Sequence, residues 1–230
     1  MHLRTHQRNE SNDMLSFHYG DDYEDVQVGI DEAGRGCFAG PVVAGAVIWD
    51  RCWLLQNADV YPELGKIKDS KKVSKKEREK LFHFIKEHAT DYCVSFVDND
   101  TIDDINILNA TYKAMHTALD GLHCEFSRIL VDGNSFKTYF SKNKNVFVTP
   151  HYCITGGDNQ YLNIASASIL AKVSRDQYME RLCIDDPQYS ERYDWDNNKG
   201  YGTAKHIKGI HAFGITSLHR KTFGICKGYA

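Results

Sequence analysis

Apolar residues recur along the chain at two different spacings, and these spacings separate the predicted strands from the predicted helices. Short runs rich in β-branched and apolar residues predict strands at 26–31, 41–49, 92–97, 127–132 and 145–149. Helical spacing of apolar residues predicts a helix after the Ser74–Glu77 capping box, and others at 104–120, 161–182 and 204–212. This order of strands and helices is typical of an α/β fold with a mixed sheet.

The same pattern divides the chain into three parts. Residues 1–25 are polar and end in an acidic run, which predicts a poorly ordered leader. Residues 26–185 hold the predicted sheet and its helices, beginning with two strands whose short Gly-rich connection predicts a hairpin. Residues 186–230 begin with an irregular polar stretch and carry one short predicted helix, so we expect a C-terminal extension of the core.

Composition narrows the function classes without naming one. The 230 residues are 42% apolar and 26% charged, which excludes a fibrous or wholly disordered chain. The net charge of −3 does not by itself indicate a polyanion-binding protein. The sequence has no apolar run long enough to span a membrane and no signal-peptide pattern at its start. The seven cysteines form no C-x-x-C motif, which disfavours a zinc ribbon and suits a reducing compartment, so we expect a cytoplasmic protein.

The first candidate site lies at the end of the first predicted strand, where Asp31 and Glu32 are adjacent. Neighbours in a strand point to opposite faces, so the chain must turn at Glu32 for both carboxylates to serve one site. Two close carboxylates repel each other unless a cation neutralises them, and hard divalent cations prefer such oxygen ligands. The alternative is an acidic pair on the surface at a strand end, and the local pattern leaves both interpretations open.

Three glycines follow these acids, and they raise the question of a nucleotide-binding loop. Such a loop must open a helix, whereas Gly34, Gly36 and Gly40 are followed by Pro41 and a β-branched strand. We therefore expect the glycines to let the backbone approach a ligand closely. Arg35 between them would then act as a clasp for phosphate or backbone groups.

Two further acids complete a candidate metal site. Asp132 is the last residue of a predicted buried strand, where ligands bind in α/β sheets. Asp158 precedes the helix over 161–182, and its Gly-Asp-Asn context locally favours a helix cap over a ligand. With Asp31 and Glu32 they would form a two-cation cradle of the kind that clamps both oxygens of a phosphodiester displacement.

Two features toward the C-terminus are open to two interpretations each. Lys172 and Arg175 lie one helical turn apart, and an exposed, ion-paired helix face explains them as well as a binding role does. Tyr201 lies between two glycines, and it is either a surface residue or a stacking platform for a base or sugar. No metal-ligand spacing is present among His206, His211 and His219.

Several motifs together resemble ribonuclease HII, the type 2 ribonucleases H. They span about residues 26–224 in the order of that family, with the leader outside them, and the ending is similar to the single-chain bacterial branch. The motifs are GIDEAGRGCFAGPVVAGAV, DSKKVSKKERE, ILVDGN, a Gly-Asp followed by IASASILAKVSRD, KGYGTAKH and HRKTF.

The resemblance implies a fold and an activity. The fold would be a ribonuclease H-like mixed sheet flanked by helices, with residues 26–185 as catalytic core and 186–230 as a helical substrate-binding extension. The activity would be endonucleolytic cleavage of RNA in RNA/DNA hybrids and at single ribonucleotides in duplex DNA. The products would carry 3′-hydroxyl and 5′-phosphate ends, and two Mg²⁺ or Mn²⁺ ions would serve as cofactors. A monomer without membrane association is expected, and a contact with a replication clamp is left open.

The resemblance also implies roles for individual residues. It makes Asp158 a ligand, against the local preference for a cap, and it assigns ribose sensing to Tyr201. The implied catalytic and metal-binding acids are Asp31, Glu32, Asp132 and Asp158. The implied substrate-binding residues are Gly34, Arg35, Gly36, Lys71, Lys172 and Tyr201. Two other functions stay open: a non-catalytic hybrid-binding module, disfavoured by the four acids, and a nucleotide-binding oxidoreductase, disfavoured by Pro41.

Overall fold

The computed structural model describes residues 14–141 and 148–229. In this part of the chain the strands are β1 (Gln27–Ala33), β2 (Val42–Ile48), β3 (Asp91–Val97), β4 (Arg128–Asp132) and β5 (His151–Ile154). The α-helices of the same ranges are α1 (Arg51–Asn57), α2 (Lys75–His88), α3 (Asn99–Ile105), α4 (Ile107–Asp120), α5 (Leu162–Asp185), α6 (Gln188–Tyr193), α7 (Trp195–Asn198) and α8 (Ala204–Phe213). None of these helices is long and apolar enough to cross a membrane.

The strands form one mixed sheet in the order β3-β2-β1-β4-β5. The β1–β2 and β2–β3 pairs are antiparallel, which confirms the predicted hairpin, while β1–β4 and β4–β5 are parallel. The register of β1 with β4 sets Ile30 opposite Val131. The next residue on each strand is an acid, Asp31 on β1 and Asp132 on β4, so the two lie side by side near the carboxyl ends of these strands.

Helices cover both faces of the sheet, which confirms the predicted α/β class. One apolar core joins the sheet to α4, and a second joins it to α2 and α5. The α5 backbone lies so close to β1 and β2 that two strand positions accept only glycine. A Cβ at Gly29 would lie 2.2 Å from the Asn163 carbonyl carbon, and one at Gly45 would lie 2.5 Å from the Ala167 carbonyl oxygen. The small residues of α5 allow this close packing.

The C-terminal helices pack around a separate apolar cluster beside α5. Its fully buried members include Tyr193, Trp195 and Ile210. This cluster also takes in Ala39 and Met179, from the loop after β1 and from α5. The region predicted as an extension is therefore helical and lies against the loop that follows β1.

Three local predictions differ from the structure. The helix predicted over 104–120 is two helices, because Asn106 adopts a positive φ of 65° and its side chain caps α4. The strand predicted at 145–149 lies partly outside the described residues, and positions 148–149 are not strand; the edge strand β5 follows them. Residues 1–13 of the predicted leader also lie outside the described residues. Within positions 14–25, the side chains of Met14, Leu15 and Phe17 pack against the α2–α5 core.

Candidate active site

Three carboxylates converge at the edge where β1 and β4 end. Asp31 and Asp132 come from these parallel strands, and Asp158 comes from a short 3-10 turn over Gly157–Asn159. One oxygen from each lies within 4.8 Å of the others. Asp158 does not cap α5, because the N-cap residue of that helix is Tyr161 and no side chain accepts a bond there. The local preference for a helix cap is therefore wrong.

Each of these acids has one oxygen fixed by a nearby N–H donor, which leaves acceptor capacity for a cation. The donors are the Glu32 N–H to Asp31 (2.7 Å), the Gly157 N–H to Asp132 (2.8 Å) and the Asn159 side-chain amide to Asp158 (2.8 Å). Two of the three donors are backbone groups, so the shape of the cluster is set by the strand end and the turn rather than by mobile side chains.

The electrostatics of the cluster show that it lacks compensating positive charge of its own. Burial, followed by the charges of Glu32 and Asp132, raises the pKa of Asp31 well above its usual value. Burial, followed by the charges of Asp132 and Asp69, raises the pKa of Asp158 to about 6. Both shifts report the cost of gathering carboxylates away from water. A hard divalent cation would relieve this cost, and an all-oxygen donor set is what such a cation prefers.

Glu32 lies beside this group of three rather than in it. The strand continues through Ala33, so the turn expected at Glu32 comes later, at Gly34 with a φ of +93°. The Glu32 carboxylate pairs with the Arg35 guanidinium at 3.1 Å. Burial raises the Glu32 pKa, and Arg35 opposes the shift. A metal-binding role for Glu32 thus stays a prediction, with an arginine now shown to share its charge.

The loop after β1 is fixed by hydrogen bonds from Arg220, whose side chain is fully buried. Its guanidinium donates to the carbonyl oxygens of Gly34 (2.7 Å), Arg35 (2.9 Å) and Gly40 (3.0 Å). Because the C=O and N–H of a trans peptide point in opposite directions, these bonds turn the Arg35 and Gly36 N–H groups away from the guanidinium. Among the described residues neither N–H has an acceptor, and a Cβ at Gly36 would meet nothing within 4 Å. The loop therefore presents two free donors to open space.

Arg175 is a second buried arginine, and it ties the same loop to the Tyr201 segment. Its guanidinium donates to the carbonyl oxygens of Pro41 (2.9 Å), Ala39 (3.0 Å) and Lys199 (2.8 Å). The interpretation of Arg175 as part of an exposed, ion-paired face is wrong, because the side chain is fully buried. Lys172, one turn earlier on α5, does form an ion pair, with Asp176 at 2.8 Å.

The Tyr201 ring lies over the side chains of Lys172 and Arg175 and is partly exposed to solvent. The residue is 38% exposed, and the Lys172 Nζ and Arg175 Cζ lie 5.5 and 5.7 Å from the ring centroid. Its backbone forms an antiparallel bridge with Cys37 in the loop after β1. Burial of the hydroxyl end, with Cys37 adding to it, raises the pKa of Tyr201 to about 12. The phenol therefore stays protonated, and the exposed ring face is available for stacking.

The turn over Ser70–Lys72 forms the opposite rim of the site. Lys71 is exposed, and its positive charge lowers the pKa of both Glu32 and Asp158. Asp69, which precedes the turn, raises the Asp158 pKa by its charge and a hydrogen bond. Sequence reasoning missed Asp69 and Arg220 as contributors to the site, and it left the role of Arg175 open. Asp69 and Arg220 lie in the DSKK and HRKTF motifs, which were the available signal.

Comparisons with known proteins identify the family to which this chain is similar. A model of the family described as Ribonuclease HII matches residues 28–226. The chain is 44% identical over 211 residues to the Ribonuclease HII of Cytophaga hutchinsonii, which covers 91% of this chain and 93% of that protein.

Solved structures share the fold. The ribonuclease H2 from Pyrococcus horikoshii OT3 superposes with a TM-score of 0.67 at 25% identity, covering 88% of this chain and 96% of that one. Bst-RNase HIII in complex with Mn²⁺ superposes with a TM-score of 0.57 at 20% identity, covering 81% of this chain and 70% of that one. The expected ribonuclease H-like fold is thereby confirmed.

Proposed function

The chain belongs to the ribonuclease HII family and is a hydrolase of the endoribonuclease class, and we propose that it cuts both hybrids and embedded ribonucleotides. The substrates would be the RNA strand of RNA/DNA hybrids and duplex DNA carrying a single ribonucleotide. The products would carry 3′-hydroxyl and 5′-phosphate ends. The observation that carries this proposal is the convergence of Asp31, Asp132 and Asp158 within 4.8 Å, next to a loop with two free N–H donors.

Two divalent cations, Mg²⁺ or Mn²⁺, fit the donor set of the cluster. Asp31, Asp132 and Asp158 would hold them. Glu32 would complete the set of ligands, with its carboxylate shared between a cation and Arg35. When bound, such cations supply water activation and charge stabilisation at the leaving 3′-oxygen. The raised pKa values of Asp31 and Asp158 support this assignment, because a cation restores the charged form that burial disfavours.

The task of the remaining residues is to position the substrate strand. The N–H groups of Arg35 and Gly36 would bind the 2′-hydroxyl and its adjacent phosphate, since this hydroxyl distinguishes RNA from DNA. Lys71 and Lys172 would contact phosphates on either side, where their charge adds affinity that depends on salt. The exposed face of Tyr201 would stack on the following sugar and favour a deoxyribose, which lacks the obstructing hydroxyl.

A comparison of matched duplexes tests the substrate assignment. A uniform RNA/DNA hybrid, a DNA duplex with one ribonucleotide and an all-DNA duplex should be incubated with Mg²⁺, Mn²⁺ or EDTA at one salt concentration. We expect cleavage of the first two only, abolished by EDTA, with 5′-phosphate products that a ligase accepts. Binding of the hybrid without cleavage under every metal condition would instead identify a non-catalytic module.

The role of Tyr201 is tested by a pair of variants on the same duplexes. Tyr201→Ala should lose roughly tenfold to a hundredfold in rate on the single-ribonucleotide duplex, because base or sugar stacking is worth about 1–3 kcal/mol. Its loss on the uniform hybrid should be smaller. Tyr201→Phe keeps the ring and should retain most of the rate. Equal losses by Tyr201→Ala on both duplexes would make Tyr201 a general binding or folding residue.

A further inference from the structure

A chain of hydrogen bonds runs through two buried histidines to the backbone of Tyr201. His206 and His219 are both fully buried, and their Nε2 atoms lie 3.1 Å apart. The Nδ1 atom of His206 lies 2.9 Å from the Tyr201 carbonyl oxygen. At the other end, the Nδ1 atom of His219 lies 2.9 Å from the Thr216 backbone nitrogen. Asp31, Asp132 and Asp158 take no part in these hydrogen bonds, while the loop after β1 lies beside them, where Ala39 forms a bridge with His219.

The groups at its two ends determine where each proton lies. The Trp195 indole can only donate, and it does so to His206 Nε2 at 3.0 Å, so the His206 proton is on Nδ1 and faces the Tyr201 carbonyl. The Thr216 N–H can only donate, so His219 accepts at Nδ1 and carries its proton on Nε2. His219 therefore donates to His206, and His206 donates to Tyr201. Burial lowers the pKa of both imidazoles, that of His219 to about 3, so both stay neutral.

This arrangement fixes the Tyr201 peptide more firmly than one hydrogen bond would. The lone pair on His206 Nε2 is shared by two donors, which polarises the ring and strengthens the Nδ1–H as a donor. The Tyr201 carbonyl also accepts the Thr203 N–H at 2.8 Å, so both of its lone pairs are used. With the carbonyl held, the backbone fixes the direction of the Cα–Cβ bond from which the Tyr201 ring extends over Lys172.

We propose that His206 and His219 are positioning residues, whose hydrogen-bond chain holds Tyr201 in the orientation that the substrate requires. Filling the C-terminal core does not demand imidazoles, because Phe would occupy a similar volume without desolvating polar atoms. Only this pair supplies a donor directed at the Tyr201 carbonyl. His206 provides that donor, and His219 supports it by donating to His206. The inference rests on the proposed role of Tyr201 in sensing the sugar after the ribonucleotide.

Two substitutions of His206 separate positioning from packing. The Asn amide nitrogen reaches about as far as Nδ1, so His206→Asn keeps a donor for the Tyr201 carbonyl. The Gln side chain reaches the Nε2 position instead, so His206→Gln keeps contact with Trp195 and His219 but loses that donor. We expect His206→Gln to lose about fivefold to tenfold in rate on the single-ribonucleotide duplex and less on the uniform hybrid. His206→Asn should stay within about threefold of wild type on both.

Thermal unfolding of both variants serves as the control for packing, since each loses an aromatic ring from the same cavity. Parallel losses of rate by the two variants on both duplexes, following their loss of stability, would overturn the proposal. If neither variant folds, a second pair of substitutions applies the same test at His219. His219→Gln keeps a donor near the Nε2 position, whereas His219→Phe keeps only the side-chain volume. Selective loss by His219→Phe alone supports positioning, and equal behaviour of these two variants refutes it.

A measurement without substrate keeps this inference separate from the proposed function. Nitrogen NMR of the imidazoles should show the proton on Nδ1 of His206 and on Nε2 of His219. The carbonyl carbon shift of Tyr201 should move in His206→Gln and stay in place in His206→Asn. If Tyr201→Ala shows no selective loss, the proposed role of Tyr201 fails, while these shifts still decide whether the histidines hold its backbone. The opposite tautomers, or an unmoved Tyr201 carbonyl, would refute the chain itself.

Discussion

Replacing Asp158 by Asn should make the metal-free protein more stable at neutral pH while removing most of its activity. The carboxyl is buried and lies within 4.8 Å of ligand atoms from Asp31 and Asp132, which disfavours its charged form. Its pKa is about 6 in the folded protein, against an ordinary value of 3.8. Asn keeps the shape and can still accept the bond from Asn159, but it carries no charge. The substitution therefore removes a repulsion that the native protein bears only for function.

The size and pH dependence of this gain follow from proton linkage. A shift of roughly 2 pKa units corresponds to about 3 kcal/mol of native-state destabilisation at pH 7.5, at 1.36 kcal/mol per unit. Between about pH 4 and pH 6 the native state binds the Asp158 proton more tightly than the unfolded state does. Wild-type stability from this group therefore falls as the pH rises through that window. At pH 5 the advantage of Asp158→Asn should be about half its value at pH 7.5.

Urea unfolding in EDTA at pH 7.5 and pH 5 measures both quantities. Asp59→Asn, which removes an exposed carboxylate, is the matched control and should change stability by no more than about 0.5 kcal/mol. With Mn²⁺ at a thousand times its Kd the order should reverse, because the cation then stabilises the wild type by about 4.1 kcal/mol. The reasoning fails if Asp158→Asn is no more stable than wild type at pH 7.5, or if its advantage does not shrink at pH 5.

Three further outcomes are expected from single substitutions. Asp132→Asn should lower the cleavage rate at saturating Mg²⁺ at least ~10²-fold without unfolding the protein, and near-normal turnover would remove Asp132 from the site. Arg220→Lys keeps the charge but cannot span three carbonyls, so discrimination between ribonucleotide-containing and all-DNA duplexes, measured as a ratio of binding affinities, should fall about tenfold. Gly29→Ala should destabilise the fold by about 3 kcal/mol or more in urea unfolding, because its Cβ would meet backbone atoms of α5 at 2.2–2.5 Å; unchanged stability would contradict that packing.

The sheet and the acids at its edge could be predicted from the sequence because their signals are local and agree. The runs around Asp31 and Asp132 are short, apolar and end in a carboxylate, and parallel neighbours bring such ends together. Asp158 shows the limit of local pattern. Gly-Asp-Asn before a helix is typical of a cap, and only the family resemblance pointed to a ligand. The structure explains the conflict, since Asp158 lies in a 3-10 turn that Gln160 and Tyr161 separate from the start of α5.

The buried arginines could not be predicted, because nothing in their own segments indicates burial. Arg175 is followed at once by Asp176 and lies one turn after Lys172, a charge pattern typical of a solvent-facing helix. Two of its three hydrogen-bond partners are carbonyls more than 130 residues earlier, at Ala39 and Pro41. The break at Asn106 escaped prediction for a related reason. The apolar spacing continues across it, and only the backbone angle of one residue separates the two helices.

The overall charge of −3 does not show that a cluster of carboxylates and two buried guanidinium groups lie close together. Their proximity explains how an acidic site can receive a polyanion. Among the described residues Arg175 and Arg220 have no carboxylate within 4.0 Å, so carbonyl dipoles and the more distant charge of Asp103 balance two buried positive charges. In surroundings of low dielectric that charge reaches the free N–H groups of Arg35 and Gly36 with little screening. A phosphate bound at these N–H groups would be attracted by the buried guanidinium groups and repelled by the carboxylates beside it. Cations on the acids remove that repulsion, so binding of metal and of nucleic acid should each strengthen the other.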